Sequence, residues 1–137
     1  MTWNFQNDLP IYSQLVAQIT ARIVAGVYPA GEKLPSVRDL AAEAGVNPNT
    51  MQRALTELER LGLMFSQRTA GRFVTEDESM IEQAKRDLAK TQVRLFLRSM
   101  TELGYGLPEI KALLDEGESR ATASGKEGMT HAADSKL

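Results

Sequence analysis

No cysteine occurs in the sequence, and histidine occurs once, as His131. The first absence excludes a disulfide framework, a thiolate zinc site and a cysteine nucleophile. The second leaves little for acid–base chemistry. His131 falls in a stretch with hardly any large apolar residue, so it is not expected to form half of a nucleophile–base pair or part of a His-rich metal site. No apolar run approaches the length of a membrane span. The opening residues Met1-Thr2-Trp3-Asn4-Phe5-Gln6 lack the basic start and apolar core of a secretory signal. Gly104 and Gly106 follow no strand and make no phosphate-binding loop. Asp115, Glu116 and Glu118 read more simply as a solvated helix end than as a cation site. The expectation is a cytoplasmic protein that is not an enzyme and takes no metal or cofactor.

Strong net charge is also lacking. The 137 residues carry a formal charge of −2, with 42% apolar and 25% charged residues, the profile of an ordinary globular chain. Distribution matters more than the sum for a nucleic-acid partner. Between Glu32 and Val74 six cations (Lys33, Arg38, Arg53, Arg60, Arg68 and Arg72) face five acids (Glu32, Asp39, Glu43, Glu57 and Glu59). Any DNA-binding face must therefore come from geometry that turns a few arginines one way.

What is present is helical periodicity with clear punctuation. Pro10 suits the first turn of a helix, and Ile11, Leu15, Ile19 and Ile23 follow at four-residue intervals until Gly26. Pro29-Ala30-Gly31 makes a turn, and Lys33-Leu34-Pro35 is short and extended. Ser36 caps a second helix, in which Asp39 sits well on the dipole and Leu40, Ala41 and Ala44 face inward. Gly45 stops it. Asn47 is the next cap and Pro48 the first helical residue of a third helix, which runs to about Leu61 before Gly62. Two helices around a short turn form a helix-turn-helix pattern. Leu63 to Gln67 and Arg72 to Thr75 then flank the polar tip Arg68-Thr69-Ala70-Gly71, a β-hairpin. A hairpin after three helices is the order of a winged helix.

On a 100° wheel the third helix turns Met51, Ala54, Leu55, Leu58 and Leu61 inward and Asn49, Gln52, Arg53, Thr56 and Arg60 outward. Arginine matches the O6 and N7 of guanine, and Asn or Gln matches the N6 and N7 of adenine. The second helix of such a pair presents its N-terminal residues to base edges. Asn47, Asn49, Thr50, Gln52 and Arg53 are the candidate readers. Arg38 can reach a phosphate or a base edge, and the helix start at Ser36 offers N–H groups to a phosphate. Arg68, Thr69, Gly71 and Arg72 are the candidate wing contacts. Each has a plainer reading: a solvated helix face, an arginine paired with Glu43 or Glu57, a simple cap, a charged turn.

From about Glu76 to Leu103 one long helical pattern contains no Gly or Pro. Gly104 and Gly106 break it, and Pro108 opens a last helix that Gly117 is expected to end. Leu88, Val93, Phe96, Met100, Leu103, Ile110, Leu113 and Leu114 form apolar stripes expected to pair two copies of the chain. The expected organisation is a winged helix-turn-helix domain over residues 1–75, a two-helix dimerisation segment over 76–116 and a disordered tail over 117–137. The fold class is mainly α with a small β-hairpin.

The pattern resembles the GntR family of bacterial regulators. The resemblance rests on Leu34-Pro35-Ser36-Val37-Arg38-Asp39-Leu40-Ala41, Gly45-Val46-Asn47-Pro48-Asn49-Thr50-Met51, Ala54-Leu55 through Leu58-Glu59-Arg60-Leu61-Gly62-Leu63, and Gly71-Arg72-Phe73-Val74. It implies a winged-helix regulator that binds a palindromic operator as a homodimer, with Arg38, the Asn47–Arg53 segment and the wing around Gly71 on the DNA. Asn47-Pro48-Asn49-Thr50 and the short C-terminal segment look like the YtrA subfamily, whose members are often encoded beside transporter operons and repress them. The wing tip departs from the family. Thr69, Ala70 and Gly71 stand where a Gly, a cation and a second Gly are usual, so Arg68 and Arg72 are expected to substitute. Pro48 stands where an arginine is frequent, which shifts base reading toward Asn49 and Arg53. An effector of unknown identity is the remaining expected partner. A winged-helix module for protein or RNA without operator specificity is the alternative reading, since one fold hosts unrelated functions.

Overall fold

The computed structural model describes residues 1–125, with side chains through Glu118. Its elements are α1 (Ile11–Val24), α2 (Val37–Ala44), α3 (Pro48–Arg60), β1 (Met64–Gln67), β2 (Gly71–Val74), α4 (Glu78–Glu102) and α5 (Leu107–Gly125). The order is that of a winged helix followed by two further helices.

The helix starts follow local chemistry. Ser36 Oγ accepts from the Asp39 N–H at 3.1 Å, and Asn47 Oδ1 accepts from the Asn49 N–H at 2.7 Å. Each satisfies a donor that the first turn would otherwise leave unpaired. Pro48 occupies the first turn of α3. Pro10 takes the position before α1 rather than a place inside it. The core then assembles from one face of each helix. Leu15, Ile19 and Ile23 of α1, Leu40, Ala41 and Ala44 of α2, and Met51, Ala54, Leu55 and Leu58 of α3 are buried with Leu34, Leu63, Met64 and Val74. Leu61 belongs to the same stripe by periodicity but caps α3 and is exposed.

The hairpin pairs Met64 with Val74 and Gln67 with Gly71 in antiparallel register. The extended Glu32–Leu34 segment adds to its other edge. Leu34 N–H donates to the Arg72 carbonyl at 2.8 Å, and Val74 N–H donates to the Glu32 carbonyl at 3.0 Å. Thus β2 is paired on both sides, and the wing is anchored below its tip. Gly62 lies between α3 and β1 with φ +83°, where a Cβ would stand 2.6 Å from Met80 Cε. The left-handed backbone favours glycine here, and the Met80 methyl packs close against it.

Residues 1–9, which no periodicity marks, lie along α1. Gln18 exchanges hydrogen bonds with both backbone groups of Asn4, and Gln14 does the same with Gln6. Arg22 is 4% exposed. Its guanidinium lies 3.6 Å from the Trp3 ring centre and donates to the Met1 and Gln18 carbonyls. Cation–π contact and backbone acceptors replace the water that burial removes.

Compactness divides the chain into two units, Met1–Thr91 and the residues from Gln92 onward. The division differs from the 75/76 boundary read from the sequence, and the reason is local. Ile81 and Ala84 on the first half of α4 pack against the winged-helix core. The second unit contains the rest of α4 and α5. There α5 continues through Gly117 to Gly125, so residues 117–125 of the expected tail are helical. One glycine costs about 1 kcal/mol against alanine within a helix, too little to end one by itself. Residues 126–137, including His131, lie outside the described residues.

Candidate nucleic-acid interface

Three elements carry the candidate residues. At the start of α3, Asn47, Asn49, Gln52 and Arg53 are exposed and Thr50 is half-buried, while Met51, Ala54 and Leu55 between them are buried. The helix is therefore split lengthwise, one face fixed in the core and the other offered to solvent with amide, hydroxyl and guanidinium groups. Gln52 Nε2 reaches Thr56 Oγ1 at 3.3 Å, a weak bond between neighbours one turn apart. Arg53 is exposed with its guanidinium carbon 4.3 Å from the centre of the Tyr12 ring.

At the start of α2, Ser36 and Arg38 are exposed. The pairing of Arg38 with Glu57 that the sequence left open does not occur. Glu57 is held by Arg60 through two hydrogen bonds of 2.9 and 2.6 Å. That contact lowers the Glu57 carboxyl below its usual range and raises Arg60. Arg60, although on the outward side of α3, is thus committed to a neighbour three residues away.

The wing divides its candidates. Arg68 and Thr69 are exposed at the tip, and Gly71 starts β2. Arg72 is engaged within the chain. Its side chain is 18% exposed and its Nε donates to Glu59, which also accepts from Ser66 Oγ at 2.6 Å. One carboxylate on α3 therefore grips both strands of the hairpin. Through this contact Arg72 braces the wing.

An open groove runs between the α2 start and the wing. Ser36 and Val37 line one side of it, and Arg68, Thr69 and Gly71 line the other. Lys33, which no sequence pattern singles out, also lines it. Gly71 adopts φ +113°, and a Cβ there would stand 2.9 Å from Lys33 Cε and 3.7 Å from its Nζ. The Lys33 side chain therefore lies close against the wing at Gly71. An ammonium from the flanking segment reaches the part of the wing where Ala70 provides no cation. The signal lay in the extended segment before Leu34, which pairs with β2; nothing local in Lys33 itself announces it.

The expected dimerisation residues fall on three levels of exposure. Val93, Phe96, Leu103, Leu113 and Leu114 are exposed, joined by Leu95, Tyr105 and Leu107. Leu88 and Met100 are half-buried. Ile110 is 2% exposed; it is already covered within the chain and does not belong to an open patch. Among the described residues no cluster of metal-ligating side chains occurs, and no helix is long and apolar enough to cross a membrane.

Known proteins share this architecture. The family model for bacterial regulatory proteins of the gntR family matches residues 11–74. The chain is 41% identical over 106 residues to the HTH-type transcriptional regulator YhcF of Bacillus subtilis, covering 77% of this chain and 88% of that one. It is 30% identical over 112 residues to the HTH-type transcriptional repressor YtrA of the same organism, covering 81% of this chain and 86% of that one. A solved structure of a GntR family transcriptional regulator from Listeria monocytogenes superimposes with a TM-score of 0.74 at 42% identity. That match covers 82% of this chain and 98% of the other.

Proposed function

The chain belongs to the gntR family of bacterial regulatory proteins, and we propose that it is a dimeric, sequence-specific repressor that reads a palindromic operator with the outer face of α3. The observation that carries this reading is the split character of α3: Met51, Leu55 and Leu58 are buried while Asn49, Gln52 and Arg53 stand exposed. A core-anchored helix with outward hydrogen-bonding groups is what base reading in a major groove requires. Asn49 and Arg53 read base edges. Asn47, Thr50 and Gln52 lie along the same groove. Arg38 and the N–H groups at Ser36 hold phosphates, as do Arg68 and Thr69 on the wing and Lys33 beside Gly71, with Arg72 bracing the hairpin.

Repression is the direction supported by the relative named as a repressor. Resemblance to the YtrA subfamily supports a transporter operon as the target. Such a regulator works on the chromosome, in the cytoplasm. An effector would find room in an open, mostly apolar recess lined by Thr20, Leu63, Met80, Ala84 and Leu88.

Arg53→Ala and Asn49→Ala are each expected to weaken specific binding by about 1–3 kcal/mol and to relax preference at one base pair. Arg38→Ala should weaken all sequences about equally if it holds phosphate alone. All three variants should keep the fold, because none of these side chains belongs to the core cluster. Titration of each variant with specific and random duplexes checks this. An Arg53→Ala variant with wild-type affinity and base preference would remove α3 as the reader.

A further inference from the structure

The base-reading candidate Arg53 does not stand alone, and its neighbour comes from the first helix. Tyr12 lies in the first turn of α1, half-buried and packed against the core cluster. Its ring centre is 4.3 Å from the Arg53 guanidinium carbon, within cation–π range. The other cations of α3 and the wing brace have carboxylate partners, Arg60 with Glu57 and Arg72 with Glu59. Among the described residues Arg53 is in neither ion pair, and an aromatic face takes that place.

The difference matters chemically. A carboxylate would engage the N–H edge of the guanidinium, the edge that guanine O6 and N7 need. An aromatic ring brings no carboxylate acceptor to compete for that edge, so the guanidinium donors remain available to a base. The ring is itself fixed, since α1 packs on α3 in the core. It therefore restricts the long arginine side chain before DNA arrives, and less rotamer freedom remains to be lost on binding.

The geometry points to Tyr12 as a positioning residue that holds the Arg53 guanidinium in place and thereby strengthens its discrimination for the base it reads. This rests on the reading of Arg53 as a base contact proposed above. Tyr12 acts through Arg53, so its effect must vanish when Arg53 is absent.

The test compares Tyr12→Phe, Tyr12→Leu, Arg53→Ala and the Tyr12→Leu, Arg53→Ala double variant of the full chain. The probes are the duplex that the wild-type protein enriches from random DNA and copies of it altered at single base pairs. Thermal melting gives the folded fraction for each variant. Tyr12→Leu should weaken the enriched duplex by about 2–5-fold, the size of an exposed cation–π contact. It should flatten the base preference at the same position as Arg53→Ala. Tyr12→Phe, which keeps the ring, should stay closer to wild type than Tyr12→Leu. In the Arg53→Ala background Tyr12→Leu should cost nothing further. Tyr12→Leu with unchanged affinity and preference, while Arg53→Ala loses both, would overturn the positioning role and leave the reader standing. An equal loss with and without Arg53 would also overturn it, since Tyr12 would then act on DNA or fold directly. Unchanged preference in Arg53→Ala would overturn the reader and the positioning role together.

Discussion

A Phe96→Asp, Leu113→Asp double variant is expected to be monomeric and to bind its operator about 10²–10⁴-fold more weakly, the range by which joining two binding modules raises avidity. The starting point is the second unit of the chain. Val93, Leu95, Phe96, Leu103, Leu107, Leu113 and Leu114 are each at least 41% exposed there. Monomeric proteins rarely leave a large contiguous apolar surface in water. A twofold pairing buries the same surface from both copies and fixes two α3 helices at one spacing. Two carboxylates placed in that interface would be buried without partners, a cost far above that of a lost contact. Neither Phe96 nor Leu113 belongs to the winged-helix core, so the reading surface itself should survive. Light scattering and operator titration on the same samples check both halves. A wild type that stays monomeric at tens of micromolar, or a double variant that stays dimeric, would contradict the pairing.

Leu58→Ala is expected to cost about 2–5 kcal/mol of folding stability. Leu58 is fully buried in the cluster that joins α1, α2, α3 and the wing. Truncating it removes apolar contact and leaves a cavity that packed neighbours fill only in part. Against a total stability of roughly 5–15 kcal/mol this is a large share. Arg53→Ala, one turn and a fraction earlier on the opposite face, should cost at most about 1 kcal/mol, the scale of its cation–π contact with Tyr12. Denaturant unfolding of the two variants separates the faces of α3. Leu58→Ala should lose stability and keep its operator preference in the folded fraction. A Leu58→Ala protein of wild-type stability would contradict the assignment of that face to the core.

Much of the winged helix could be read from the sequence because its signals are local. The Ser36 and Asn47 caps, Pro48 in the first turn of α3 and the hairpin register ending at Gly71 each lie within a few residues of what they determine. The outward face of α3 followed from the same periodicity. Interactions between distant segments were not legible. Arg22 looks like a surface cation until Trp3 and the Met1 carbonyl, 19 and 21 positions away, are seen to enclose it. The contact of Arg72 with Glu59, 13 positions earlier, was no more visible. Lys33 gains its place from strand pairing across about 40 residues, and Tyr12 meets Arg53 across a similar gap. Ile110 shares the periodicity of its exposed neighbours Leu113 and Leu114, yet burial separates it from them. Periodicity identifies the apolar side of a helix and leaves open which part of that side is already covered.

The claim on which the account depends is that this chain recognises a particular DNA sequence through α3. Selection of binding sites by the purified full-length protein from a pool of random duplexes tests it most directly. The account predicts enrichment of one twofold-symmetric sequence, with half-sites a whole number of helical turns apart, and loss of that enrichment in an Asn49→Ala, Arg53→Ala double variant that remains folded. A pool that stays random after repeated rounds, or a sequence enriched equally by the double variant, would contradict it.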